Sequence, residues 1–162
     1  MKGFSIFNLL FSLNHDKNFF MRVKILILLI FLTSIYLKSQ DLGLKTGIAI
    51  GDLDQFFFGV VTPIPIEKLL LFQPTFDVGF GDNATSLFLS MDFLYRFKRN
   101  FSLGGGIGVL YNSFSRGGSK TDPSLSMFFN FRYPARRTDI FWEIRAQISD
   151  CSQLRLSFGF FL

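Results

Sequence analysis

Residues 152–162 read SQLRLSFGFFL, and the reading of this stretch decides the fold. Leu154, Leu156, Phe158, Phe160 and Leu162 fall on alternate positions. Gln153, Arg155, Ser157 and Gly159 fall between them, with Phe161 as the one apolar exception. Successive side chains of a β-strand point to opposite faces, so a period of two marks a strand between two different environments.

The same pattern recurs upstream. Segments at about 42–51, 55–64, 69–81, 85–97, 101–113, 124–133 and 139–148 alternate in the same way, and turn residues separate them. Each is close to the ~9–11 residues of a tilted strand crossing a hydrocarbon layer. Asp52-Leu53-Asp54, Asp82-Asn83-Ala84, Lys98-Arg99-Asn100 and Ser149-Asp150-Cys151 supply turns, and residues 115–122 read as the longest loop. Pro63 and Pro65 close the second segment, because proline cannot donate to a ladder. Pro74, inside the third, is a local misfit, tolerable at a bulge. With residues 152–162 the count is eight. The expected fold is all-β: an eight-stranded antiparallel up-and-down barrel over residues 41–162.

Alternation alone does not say which face is outside. Volume does. The apolar face carries roughly forty large side chains, and an eight-stranded barrel is only just wide enough to be filled by side chains. The opposite face is rich in Gly, Ser and Ala. The apolar face therefore looks outward, and its solvent is lipid. Closure removes the unpaired strand edges that hydrocarbon does not tolerate. A soluble ligand-binding barrel, with the faces reversed, is disfavoured by the same volume argument. Tyr95, Phe97, Phe101, Tyr133, Trp142 and Phe160 fall near one rim, and Phe56, Phe80 and Tyr111 near the other, as aromatic girdles do.

Residues 1–40 read as a leader. Met21-Arg22-Val23-Lys24 is a cationic start, Ile25–Ile35 is apolar but too short to span a bilayer, and Ser39 offers a small residue for cleavage. Residues 21–40 thus form a signal peptide, with a retained signal anchor as the other reading. Residues 1–20 fit no part of such a signal and point to translation starting at Met21. The leader also explains the basic balance. It holds five of the 17 Lys and Arg and one of the 12 Asp and Glu, leaving twelve bases against eleven acids in the body. A nucleic-acid partner needs clustered cations, and the body has no basic stripe.

The alternating segments, the signal peptide, and a final strand carrying Phe158 and Phe160 together resemble the small eight-stranded bacterial outer-membrane barrels, the class of OmpX and the OmpA transmembrane domain. The resemblance covers all of 41–162. It implies export to the outer membrane of a Gram-negative envelope, contact with outer-membrane lipid and the barrel-assembly machinery, a monomer, and both chain ends on the periplasmic side. Family members end on Phe or Trp, whereas this chain ends on Leu162.

Some barrels of this kind modify lipid A with His and Ser. Here the single histidine, His15, lies in the leader, so the body lacks a base of that kind. No enzymatic activity, cofactor or metal is expected. Gly104-Gly105-Gly106-Ile107-Gly108 is not a phosphate loop, since no helix follows it. Lys45, Asp77, Asp92, Arg96, Arg132, Glu143, Arg145 and Arg155 fall on the inward face. They read as a lumen network, because buried charges need partners, or as a narrow porin-like pathway for ions. Phe57, Phe88, Leu110 and Phe128 also point inward, toward the outer half. They read as packing that plugs the barrel, or as a site for a lipid or other apolar ligand. The expected role is structural or envelope-maintaining with a plugged lumen. The alternative is a transport or lipid-binding barrel that uses the lumen.

Overall fold

The structure, a computed structural model, describes residues 42–162 apart from 82, 116, 136 and 137. The signal reading of residues 1–40 lies outside the described residues. Nine strand segments follow in order: β1 (Gly43–Gly51), β2 (Gln55–Val61), β3 (Ile64–Pro65), β4 (Leu70–Phe80), β5 (Ala84–Lys98), β6 (Phe101–Phe114), β7 (Ser119–Tyr133), β8 (Ile140–Ile148) and β9 (Gln153–Phe161). Sequential neighbours pair antiparallel except β2 and β3, which both pair with β4, and β1 also pairs with β9, so the sheet closes on itself.

The wall has eight strands. β2 and β3 lie against β4 in one unbroken register, from Phe56 opposite Phe80 through Val61 opposite Thr75 to Ile64 opposite Phe72. They are two pieces of one strand, interrupted at Thr62-Pro63. The cause is a pair of prolines facing the same gap. The Thr62 N–H donates to the Pro74 carbonyl at 3.2 Å, but Pro74 has no N–H to return, and Pro63 has none to offer. Pro74 is accommodated without a bulge, since the β4–β5 register passes through Pro74 opposite Met91 without a shift. The wall does carry an irregularity between Arg96 and Lys98, where β5 turns into β6.

The loop expected over 115–122 is shorter. β7 begins at Ser119, because Lys120 pairs opposite Asn112 and Ser119 opposite Ser113. The turn is reduced to 115–118, with Gly117 and Gly118 in the left-handed region at φ 93°. Strands 15 residues long, such as β5 and β7, run past the apolar band into polar sequence, and polar sequence reads as loop.

The faces fall as the volume argument requires. Ile107 is 64% exposed, Met127 66% and Trp142 56%, each on the outer surface. Aromatic neighbours pack there across and along strands, with Trp142 and Phe158 at 4.6 Å between ring centres and Tyr95 and Phe97 at 5.0 Å. The inward set is buried, and glycines make room for it. Gly104 is the cross-strand partner of Phe128, and Gly106 that of Asp92. A Cβ on either would overlap the side chain it faces.

Two ends can be distinguished. At the terminal end, β1 begins and β9 finishes. At the distal end lie the connections from β1 to β2, β4 to β5, β6 to β7 and β8 to β9. The distal turns are tied together by aspartates. Asp52 Oδ2 accepts from Ser152 N at 2.8 Å, Asp54 Oδ1 accepts from Gly51 N at 3.1 Å, and Lys120 donates to Asp150 at 2.6 Å. Cys151 is half-buried in this set. Burial, and then the nearby Asp122 carboxylate, push its thiol up from the usual range.

Candidate functional site

Six of the eight inward charges meet in the middle of the lumen. Their partners alternate in sign along one chain. Arg155 lies 3.0 Å from Asp77, Asp77 lies 3.3 Å from Lys45, and Lys45 lies 3.4 Å from Glu143. Glu143 accepts from Arg145 Nε at 2.9 Å, and Arg145 reaches Asp92 at 2.8 Å. Three cations face three carboxylates, so the layer is neutral. Its members come from β1, β4, β5, β8 and β9, and the chain therefore crosses the bore. Every side chain in it is 5% exposed or less.

The two ends of this chain are satisfied differently. At one end Arg145 grips Asp92 with both terminal nitrogens, Nη1 to Oδ1 at 3.1 Å and Nη2 to Oδ2 at 2.8 Å. This is the planar two-point match that a guanidinium makes with a carboxylate. Thr75, Ser90 and Ser126 donate to Asp92 as well, at 3.2, 3.0 and 3.4 Å. At the other end Asp77 is within ion-pair distance of Lys45 and Arg155, yet neither carboxylate oxygen accepts an aligned hydrogen bond from the described residues. Gly59, its cross-strand partner, leaves the space that Asp77 fills.

Aromatic rings bracket the charges. The Arg145 guanidinium lies 4.0 Å from the centre of Phe128, and Arg155 lies 4.0 Å from Phe57 and 4.9 Å from Phe88. Such stacking desolvates a guanidinium while giving it a favourable face.

The structure divides the apolar quartet. Phe57, Phe88 and Leu110 lie distal to the ionic layer, whereas Phe128 lies in the terminal half. Phe128 packs with Leu71 and Leu94, opposite Gly104. The four do not form one ligand site, because the arginine stacks stand between them. A second apolar group, Val61, Phe141 and Phe161, lies toward the terminal end, with the Phe141 and Phe161 rings 4.7 Å apart. Leu71, Leu94 and Phe141 were not anticipated from the sequence. The signal available was an apolar residue in the inward phase facing a glycine, as Phe141 faces Gly159.

Arg96 and Arg132 stand apart from the network. They are half-buried at the terminal mouth, where Arg132 pairs with Asp139 at 2.7 Å and lies over the Phe161 ring at 4.3 Å. They fail to join because strand phase alone does not fix depth, and both lie too near the strand ends. Among the described residues, no cluster of three or more His, Cys, Asp or Glu side chains is arranged to hold a metal ion.

Comparison with known proteins gives the fold. No protein-family description and no curated relative matches the chain. Among solved structures, a barrel from the de novo design of transmembrane β-barrels superposes with a TM-score of 0.53 at 8% identity, over 77% of this chain and 98% of that one. The N-terminal β-barrel domain of Pseudomonas aeruginosa OprF gives 0.52 at 8% identity, over 76% and 98%. Ail, the attachment invasion locus protein of Yersinia pestis, gives 0.49 at 14% identity, over 76% and 95%. The chain has the eight-stranded, antiparallel, closed architecture of transmembrane barrels.

Proposed function

We propose that the chain is a small outer-membrane barrel of a Gram-negative envelope, with its bore closed by side chains and a structural or envelope-maintaining role. The observation that carries this reading is the pairing of a neutral, buried ionic layer with an outer surface of exposed Phe, Leu, Ile and Met. Such a surface is stable against hydrocarbon and not against water. The buried ionic layer across its bore supports a lumen filled by side chains. Lipid is its main partner, the assembly machinery its route of insertion, and the monomer its working form. The terminal end faces the periplasm.

The experiment is gel mobility of the envelope-fraction protein with and without boiling in SDS. A shift on boiling, in the outer-membrane fraction, is the expected result. A protein that stays in the soluble periplasmic fraction and shows no shift overturns the reading.

A second reading, a narrow polar pathway, is favoured by one set of atoms. Both side-chain polar atoms of Asn112, with Asp122 Oδ2, Ser124 Oγ, Gln147 Nε2 and Arg155 Nε, are buried without hydrogen-bond partners among the described residues. They run from the distal end to the ionic layer, and buried polar groups of this kind recruit water. Discrete conductance steps in planar bilayers would establish the pathway. Their absence would leave the closed barrel.

A further inference from the structure

We infer that the terminal mouth of the barrel holds a binding site for an oxyanion group, of the phosphate class, built by Arg96 and Arg99. The site goes beyond the structural reading and depends on the folded barrel alone.

The recess is lined by Arg96, Arg99 and Arg132 together with Gln73, Ser102 and Asn130. Three guanidiniums thus converge on one small opening. Asp139 neutralises Arg132 at 2.7 Å. Among the described residues, Arg96 and Arg99 have no acidic side-chain partner, and Glu67 at this end is exposed in the turn before β4. Arg96 is half-buried and Arg99 exposed at the rim, so the mouth carries two cations without a carboxylate of their own, whereas the buried cations Lys45, Arg145 and Arg155 each have one.

An independent observation comes from beneath them. Gln73 is 2% exposed, and its Nε2 has no hydrogen-bond partner among the described residues. A buried amide donor left open is costly, because it has given up water without gaining an acceptor. It lines the recess, where the missing acceptor belongs. The recess leaves about 20 Å³ for the centre of a water-sized atom, roughly the room one oxygen needs. One anionic oxygen therefore enters, to meet Gln73, Ser102 and Asn130. The rest of the group stays in the mouth, where the two arginines reach it.

The local backbone explains why the arginines gather here. The register shift between Arg96 and Lys98 lets β5 turn into β6 within two residues, Arg99 and Asn100. Irregularities of this kind re-aim side chains at the rims of barrels. Arg96 keeps the inward phase of Asp92 and Leu94, and Arg99 follows it over the opening. A guanidinium fork suits phosphate because it donates two parallel hydrogen bonds.

The chemistry is shared by free phosphate and by the headgroup of an anionic phospholipid, and the test separates them. The full chain, folded in maltoside micelles, is titrated calorimetrically with inorganic phosphate and, separately, with dihexanoyl-phosphatidylglycerol. Saturable binding of phosphate assigns the site to a free anion. Saturable binding of the phospholipid alone assigns it to a headgroup. In either case the R96Q/R99Q double variant binds at least about tenfold more weakly, R96K/R99K recovers part of the loss, and Lys120→Gln at the distal end binds as the parent does. Heat-modifiable mobility in SDS shows separately that each variant is folded. The proposal is overturned if neither probe binds saturably, if R96Q/R99Q binds as tightly as the parent, or if Lys120→Gln weakens binding as much as the double variant.

Discussion

Phe141 and Arg145 lie four residues apart on β8 and point into the same bore. Both are almost wholly buried, at 0% and 1% exposure. Phe141 sits in the terminal plug with Val61 and Phe161, and needs only a ring-sized space, which Gly159 opposite provides. Arg145 sits in the ionic layer and needs Asp92, Glu143, Ser90 and Ser126 to be in place at once. The difference lies in what a failure costs. An apolar plug that loses a side chain loses contacts and leaves a void. A charge network that loses one member leaves the others charged and buried. A narrow bore can be lined by either means, and this one carries both in separate layers.

The sharpest way to break the comparison is Arg145→Met. It keeps volume and removes the charge, so Asp92 loses its cation and Glu143 keeps only Lys45. The expected loss is about 3–5 kcal/mol in urea unfolding followed in micelles. A loss under about 1 kcal/mol would show that the layer is not held by its charges. Phe141→Ala comes next, at about 3 kcal/mol by the same measurement, the low end for a buried aromatic because the plug borders the mouth. Two neighbouring glycines then sharpen the contrast between the faces. Gly106→Ala, against Asp92, is expected to cost about 1–3 kcal/mol as overpacking. Gly105→Ala, whose Cβ would meet only Ser126 O at 3.4 Å, is expected to stay within about 0.5 kcal/mol. The smallest effect is at the distal turns. With its thiol raised by burial, Cys151 holds less thiolate at pH 8 than an unhindered cysteine does. Iodoacetamide is expected to modify it more slowly than a free-cysteine peptide, at a rate that climbs with pH.

Much of this was legible in residue order. The strand count, the outward face and the inward phase of the six charges of the ionic layer all follow from a period of two and a limit on volume. What did not follow was depth. Arg96 and Arg145 have the same phase, but one lies at the mouth and the other at the centre, because distance from the nearest turn decides which neighbours a side chain reaches. Phe128 was assigned to the wrong half for that reason. The start of β7 was obscured because Ser119–Asp122 is polar, and polar strand ends beyond an apolar band have the composition of loops. Pro74 was read as a disturbance of its own strand, whereas its effect falls on the partner strand, at Thr62-Pro63. Pairing partners are not written in local sequence, and register had to come from the closed sheet.

That proline pair has a consequence for how the wall opens. Elsewhere two strands are joined by a ladder in which each lost rung is backed by the next. Between Val61 and Ile64 the backing is thin, since Thr62 holds Pro74 through a single bond. Amide hydrogens report such differences directly, because exchange follows the cheapest local opening. Thr62 is therefore placed to trade its proton for deuterium ahead of the amides in the continuous ladders of β6 and β7. The seam along which the cylinder first lets solvent in is set by two residues that have no amide proton to exchange.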